Sequence, residues 1–210
     1  MSVITIRGQL GSGADEVGRL VAEKIRGDYV EREIIAMVAE KLKAPHEEVA
    51  KKEATPSDFW GRLSEVLSRS AVYSGGMTGA WIPTWDVPLS DTRYLESLHF
   101  VITELAKKPP IVIRGRGSQF ILKTHPGAFH ALIVAPQETR LLHVMKSRSL
   151  TPTLALKEME RFDSSRRAFI KRYFNADLDD PVNYDIVINT GRLSYEDAAR
   201  FIVEASAAKR

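Results

Sequence analysis

Residues 3–13 read Val3-Ile4-Thr5-Ile6-Arg7-Gly8-Gln9-Leu10-Gly11-Ser12-Gly13, a short apolar run that ends in a glycine-rich turn. β-Branched residues favour a strand. The apolar residues that follow, Val17, Leu20 and Val21, recur at the spacing of one helix face. The segment therefore predicts a strand, a glycine loop and a helix in direct succession.

The glycine loop at residues 8–13 also indicates a chemistry. Backbone N–H groups converge in such a loop and the N-terminus of a helix follows it, which suits a phosphate group. The phosphate-loop pattern is Gly-x-x-x-x-Gly-Lys-Ser/Thr. Both glycines are present here, but Ala14 stands at the lysine position and Asp15 at the hydroxyl position. The loop is either an anion site or a tight turn that only connects two elements. The candidate phosphate ligands are Gly8, Gly11, Ser12 and Gly13.

Four more short apolar runs follow along the chain and alternate with helical patterns. They lie at residues 29–30, 111–114, 131–134 and 186–188. This alternation predicts an α/β fold with a parallel sheet covered by helices on both faces. Ligands of such sheets bind at the carboxyl ends of the strands. We therefore expect the loops at 8–13, 115–117 and 189–191 to line one site.

The composition excludes several classes of protein. The 210 residues include 44% hydrophobic and 27% charged residues, which is typical of a globular chain and not of a disordered or collagen-like one. There is no cysteine, which excludes a disulfide framework, a zinc–thiolate site and a thiol nucleophile. No apolar run approaches the ~20 residues of a membrane span, so we expect a cytoplasmic protein with no membrane partner.

Positive charge is concentrated in residues 106–173, which carry 14 basic and 4 acidic side chains. This excess indicates either an anionic partner or a solvated basic face. Nucleic acid ranks last as the partner because no nucleic-acid motif accompanies the charges. Within the predicted helix at 151–173, Asp163 is spaced to pair with Arg166 or Arg167. The basic residues of its second half are Arg161, Arg166, Arg167, Lys171 and Arg172.

Residues 3–35 and 111–203 resemble the cytidylate-kinase-like family, relatives of bacterial cytidylate kinases among the nucleoside monophosphate kinases. The motifs that carry the resemblance are Gly11-Ser12-Gly13, Gly115-Arg116-Gly117, Arg161-Phe162-Asp163-Ser164-Ser165-Arg166-Arg167 and Tyr184-Asp185-Ile186-Val187-Ile188-Asn189-Thr190-Gly191. The resemblance implies a P-loop kinase fold in one domain, with a five-stranded parallel sheet flanked by helices and a small helical lid at 149–180. Residues 45–105 are expected to form a helical insertion with a mobile loop at 74–90.

The resemblance also implies transfer of a phosphoryl group from ATP, with Mg²⁺, to a nucleotide or another phosphorylated small molecule. The catalytic residues it implies are Arg161, Asp163, Arg166 and Arg167. The substrate-binding residues it implies are Arg32, Arg116, Lys171 and Arg172. The five histidines show no metal-ligand spacing, so no metal site is predicted within the chain.

This chain departs from the family pattern at three places. Gly117 replaces the carboxylate that follows the arginine of the family's Gly-Arg-Asp triplet, and Met159 replaces an arginine ahead of Asp163. The loop lysine is also absent. A second hypothesis therefore stays open, in which the protein is a regulatory module that binds a nucleotide or phosphate with weak or no catalysis.

Overall fold

The computed structural model describes residues 2–31, 34 and 92–209. The chain divides into two compact units, residues 1–31 with 102–210, and residues 32–101. The first unit contains all five strands that the described residues form. The predicted loop at 74–90, most of the predicted insertion and Arg32 lie outside the described residues.

Five parallel strands form the sheet, which confirms the predicted fold class. They are β1 (Val3–Gly8), β2 (Asp28–Val30), β3 (Ile111–Arg114), β4 (Ala128–Val134) and β5 (Ile186–Asn189), and their spatial order is β2-β3-β1-β4-β5. β1 is therefore central, and its end is flanked by the ends of β3 and β4. In the register of β1 with β3, Ile6 lies opposite Arg114.

Helices connect the strands. They are α1 (Ala14–Ile25), α2 (Thr92–Ala106), α3 (Ser118–Ile121), α4 (Gln137–Arg148), α5 (Pro152–Phe174) and α6 (Tyr195–Ala208), with a 3₁₀ turn at Pro181–Asn183. α5 starts at Pro152, within one residue of the predicted start, and proline is favoured at the first position of a helix. α6 is capped by Ser194, whose hydroxyl oxygen accepts a hydrogen bond from the Asp197 N–H. None of the described helices combines the length and apolarity needed to cross a bilayer.

The two faces of β1 bury different kinds of side chain. Ile4 and Ile6 belong to a core cluster that includes Val17 of α1 and Ile202 of α6. Because side chains alternate along a strand, Thr5 and Arg7 lie on the other face, where both are buried as well. One face of β1 is thus a hydrocarbon core, whereas the other is apolar at Val3 and polar toward the end of the strand; the part with Thr5 and Arg7 is called the polar face.

His130 of β4 shows how the polar face is held together. Its Nδ1 lies 2.8 Å from the Thr5 hydroxyl, and its backbone N–H donates to the Asp185 carboxylate at 2.7 Å. Asp185 is paired with Lys209 at 2.8 Å. Burial lowers the pKa of His130 to about 4, because the nearby Asp185 charge only partly offsets the desolvation of the imidazolium.

The low pKa of His130 predicts acid sensitivity. The unfolded chain takes up this proton near pH 6.5 and the folded chain near pH 4, so the stabilisation is present above pH 6.5 and is lost as the pH falls toward 4. A shift of this size corresponds to about 3 kcal/mol of unfolding free energy. His130→Gln, which cannot titrate, is expected to lose less stability than wild type between pH 7 and pH 4.5 in urea unfolding. Equal losses in the two proteins would contradict this.

Candidate functional site

The glycine loop joins β1 to α1 as the sequence predicts. Gly11 and Gly13 have positive φ angles of 83° and 75°. The Ser12 N–H donates to the Gln9 carbonyl at 3.1 Å, which closes the turn. Among the hydrogen bonds of the described residues, none uses the N–H of Gly11 or Gly13.

Close packing around the loop explains its glycines. A Cβ atom on Gly11 would lie 2.5 Å from the carbonyl oxygen of Arg140, and one on Gly13 would lie 2.4 Å from the ring of Tyr195. Both contacts are shorter than any tolerated carbon contact. α4 and α6 therefore pack directly against the loop backbone, and they fix its conformation.

A buried ion pair clamps the loop from the side. Arg140 of α4 and Asp163 of α5 form a salt bridge, and both are at most 8% exposed. Arg140 Nε donates to the Leu10 carbonyl at 2.8 Å, and the Leu10 N–H donates to Asp163 Oδ1 at 3.1 Å. Both backbone polar groups of Leu10 are thus held by one pair of side chains.

This pairing corrects the expectation that Asp163 binds Arg166 or Arg167. Asp163 lies on the face of α5 that is buried with Met159 and Phe162, and its carboxylate meets Arg140 there. Arg167 lies on an exposed face and its Nε donates to Asp179 at 2.6 Å. Helical spacing identifies partners on the same helix, but it does not show that Asp163 binds a buried partner on α4 instead.

The first turn of α1 carries two carboxylates that are already engaged. The Tyr29 hydroxyl donates to Asp15 at 2.5 Å. Burial by itself would raise the pKa of Asp15, but this hydrogen bond and the charges of Arg114 and Arg19 hold it below its usual value. The hydrogen bond from His143, at 3.2 Å, lowers the pKa of Glu16. Both carboxylates are therefore ionised at neutral pH, and they add negative charge beside a loop that has no lysine.

The turn Gly115-Arg116-Gly117 follows β3 and is left-handed throughout. Its three φ angles are 72°, 59° and 70°. A left-handed conformation costs an L-residue such as Arg116 roughly 1–2 kcal/mol, and strain of this kind concentrates at functional sites. A Cβ on Gly117 would lie 2.8 Å from the ring of Phe174, so the end of α5 packs onto the turn. The turn holds Arg116 at the carboxyl edge of the sheet.

Four arginines at this edge influence one another electrostatically, and we call them the arginine cluster: Arg7, Arg114, Arg116 and Arg166. The Arg166 guanidinium lies 3.5 Å from the centroid of the Phe162 ring. Burial and then the charges of Arg7, Arg114 and Arg116 lower the pKa of Arg166, with Glu31 acting in the opposite sense. Glu31 itself forms an ion pair with Arg114. Arginines from β1, β3 and α5 therefore interact electrostatically, with Glu31 offsetting the charge of Arg114.

The other basic residues predicted for the site lie apart from this cluster or outside the described chain. Arg161 is 3.2 Å from Glu158 on the same helix, and Arg167 is paired with Asp179. Lys171 and Arg172 are exposed in the last turn of α5. Of the basic residues predicted on α5, the structure brings Arg166 into the arginine cluster.

Several residues that shape the loop were not named as site residues from the sequence, although Thr190 belongs to the loop at 189–191 that was expected to line the site. They are Arg140, His143, Thr190 and Tyr195. The Thr190 hydroxyl donates to the Ser12 carbonyl at 2.7 Å, and the Tyr195 hydroxyl is 3.0 Å from His143 Nδ1. The position of the loop at 189–191 after a predicted strand indicates that Thr190 lies near the site. Nothing in the spacing of Arg140 marks it as a partner of Asp163.

Removing the charge of Asp163 is expected to destabilise the protein by about 3–5 kcal/mol, because Arg140 would become a buried and unpaired cation. The measurement is urea unfolding of Asp163→Asn against wild type. Glu104→Gln, which breaks the exposed pair of Glu104 with Lys107, is the matched control, and its effect is expected to stay under about 1 kcal/mol. Similar small effects in both variants would show that the pair does not hold the loop.

The sequence was also compared with protein families and with known proteins. The model of the cytidylate kinase-like family matches residues 3–192. A cytidylate kinase from Methanocaldococcus jannaschii is 30% identical over 105 residues, which are 49% of this chain and 58% of that protein. The chain spans less than two thirds of the length of the curated relatives it matches.

Solved structures show the same fold at low sequence identity. An uncharacterized protein from Eubacterium ventriosum superposes over the full length of both chains with a TM-score of 0.66 and 19% identity. Shikimate kinase from Bacteroides thetaiotaomicron superposes over 97% of both chains with a TM-score of 0.52 and 11% identity. The P-loop kinase fold expected from the sequence is confirmed, and the extent of the family match shows that this chain belongs to the cytidylate kinase-like family.

Proposed function

We propose that this protein transfers a phosphoryl group from ATP to a nucleoside monophosphate. The observation that carries the proposal is that two features suited to anions lie at the carboxyl edge of the sheet. One is the glycine loop, whose Gly11 and Gly13 N–H groups have no acceptor among the described residues. The other is the arginine cluster at the ends of β1 and β3.

The loop is the proposed site of the donor phosphates. The N-terminus of α1 carries a partial positive charge that favours an anion. Gly8, Gly11, Ser12 and Gly13 are the proposed phosphate contacts, because they form the loop backbone that leads into α1, and close packing against Gly8, Gly11 and Gly13 fixes its conformation. Asp163 acts here as a positioning residue, because it holds the Leu10 N–H and Arg140.

The arginine cluster is the proposed site of the phosphoryl group in transfer and of the acceptor phosphate. Phosphoryl transfer depends on positioning and on neutralising negative charge. Arg116 and Arg166 come from different elements, and each presents a planar guanidinium group suited to two phosphate oxygens. Arg161, Arg167, Lys171 and Arg172 remain candidates for contacts with the outer parts of a bound nucleotide.

Magnesium fits this site as a partner of the substrate phosphates. The described residues hold no group of three or more side chains that could form a metal site of their own. Mg²⁺ is commonly held by phosphates and water with one or two carboxylates. Asp15 stands at the hydroxyl position of the phosphate-loop pattern and is the proposed protein ligand, with the hydrogen bond from Tyr29 orienting its carboxylate. When bound, the ion would supply positive charge to the donor phosphates.

One observation favours a second function, in which the protein binds a nucleotide or phosphate with weak or no catalysis. Ala14, at the lysine position, is 2% exposed and belongs to the apolar core. The position is thus used for packing. A binding module needs the loop and the arginines but not the extra cation on the transferring group.

A coupled assay with ATP, Mg²⁺ and each nucleoside monophosphate tests the proposal. We expect turnover slower than the ~1–100 per second of typical kinases, because no lysine follows the loop. Arg116→Ala is expected to lower kcat/KM by about 10²–10³, the cost of deleting one transition-state donor. Lys107→Ala, which removes an exposed charge beyond the end of α2, is the matched control and is expected to leave kcat/KM unchanged.

The outcomes separate the two functions. No turnover with any nucleotide, together with a rise in melting temperature on adding ATP or a monophosphate, would overturn the kinase proposal and support the binding module. Turnover that Arg116→Ala leaves intact would show that the arginine cluster is not where transfer takes place.

A further inference from the structure

Arg7 is the most unusual side chain in the described part of the protein. It lies near the end of β1, one residue before the glycine loop, and is 4% exposed. Its Nε, Nη1 and Nη2 atoms are all buried, and none has a hydrogen-bond partner among the described residues. A buried cation without partners is costly, and burial lowers the pKa of Arg7. An unsatisfied buried group of this kind calls for an explanation.

A structural ion pair does not explain Arg7, because the neighbouring acids are engaged elsewhere. Asp163 and Asp179 both act on Arg7 electrostatically. Asp163 is bound by Arg140 and the Leu10 N–H, and Asp179 accepts from Arg167. Each carboxylate is therefore paired with a different arginine, although Oδ1 of Asp179 is buried without a hydrogen-bond partner among the described residues.

The Tyr184 hydroxyl is engaged as well. Tyr184, the other group that favours the charged form of Arg7, donates its hydroxyl to the Leu178 carbonyl at 2.6 Å. Its oxygen accepts from Gln119 Nε2 at 3.1 Å. The Tyr184 hydroxyl is thus engaged on both sides and does not serve the Arg7 guanidinium, which has no acceptor among the described residues.

The sheet places Arg7 beside the other members of the arginine cluster. The Gly115 N–H donates to the Ile6 carbonyl at 3.0 Å, so the turn that carries Arg116 starts directly alongside Arg7. Arg166 of α5 is close enough to Arg7 for their two positive charges to repel each other. Like charges brought together in this way favour the binding of an anion between them.

We propose that Arg7 is a phosphate ligand, and that it supplies from β1 the positive charge that Ala14 does not supply from α1. Its guanidinium offers a fork of N–H donors that matches two oxygens of a phosphate group. The choice of phosphate over another anion rests on the proposed function. The assignment of Arg7 to the loop site rests on its own burial, its missing partners and its place next to Gly8.

Pyrophosphate binding measured by titration calorimetry in the absence of Mg²⁺ tests this assignment without depending on turnover. Arg7→Met keeps the length of the side chain and removes the charge, and it is expected to weaken pyrophosphate binding at least tenfold. Arg7→Lys keeps the charge but loses the fork, and an intermediate loss is expected. Lys107→Met, which removes an exposed charge beyond α2, is the control and is expected to bind like wild type.

Thermal unfolding separates a ligand from a structural cation. If Arg7 is an anion ligand, Arg7→Met without ligand is expected to melt at or above the wild-type temperature. Pyrophosphate is then expected to raise the melting temperature of wild type but not that of the variant. If Arg7 is structural, Arg7→Met melts well below wild type, and Arg7→Lys binds pyrophosphate like wild type. Either of these last two results overturns the inference.

Failure of this inference can be told apart from failure of the proposed function. Loss of pyrophosphate binding in Arg7→Met, in a protein with no kinase turnover, supports the role of Arg7 and rejects the kinase. Turnover that is the same in wild type and Arg7→Met rejects the role of Arg7 and leaves the kinase standing.

Discussion

The buried ion pair between Arg140 and Asp163 is the interaction on which the candidate site depends. It joins α4 to α5 and binds both backbone polar groups of Leu10 in the middle of the glycine loop. A loop with several glycines has many conformations available to it, and these side-chain contacts select one of them. Because each partner would be a buried unpaired charge without the other, the two helices and the loop are stable only as one unit.

Charge is distributed in this site differently from the standard phosphate loop. The standard pattern places its cation on the first turn of the helix that follows the loop. Here that turn holds Asp15 and Glu16, both ionised, and the cations lie on β1, β3 and α5. The loop therefore contributes backbone N–H donors, while other elements contribute the positive charge. Three of these cations, Arg114, Arg116 and Arg166, come from the basic segment after residue 105, and Arg7 comes from the strand that leads into the loop.

The sequence predicted the fold well because the signals for the fold are local. Each of these signals specifies structure within a few residues of itself. Examples are the apolar run before Gly8, the turns after β3 and β5, and Pro152 at the start of α5. The site was predicted less well because its decisive contacts are distant in sequence. Asp163 was expected to pair one turn away along its own helix, where the partner is spaced correctly. It pairs with Arg140 because burial favours a partner on the same buried side, and burial of a single polar residue is not visible in the sequence pattern.

α5 has a double role that follows from helical spacing. Residues three apart lie on the same side of a helix, so Asp163 and Arg166 project in related directions. Asp163 fixes the shape of the glycine loop, and Arg166 contributes charge to the arginine cluster one turn later. The end of the same helix packs on the turn that carries Arg116, through Phe174, whose ring stacks on Phe120 at 5.3 Å. A lysine on a phosphate loop moves with the loop, whereas the cation Arg166 moves with α5. Loop shape and local charge are therefore coupled through one rigid helix, and any change that shifts α5 alters both together.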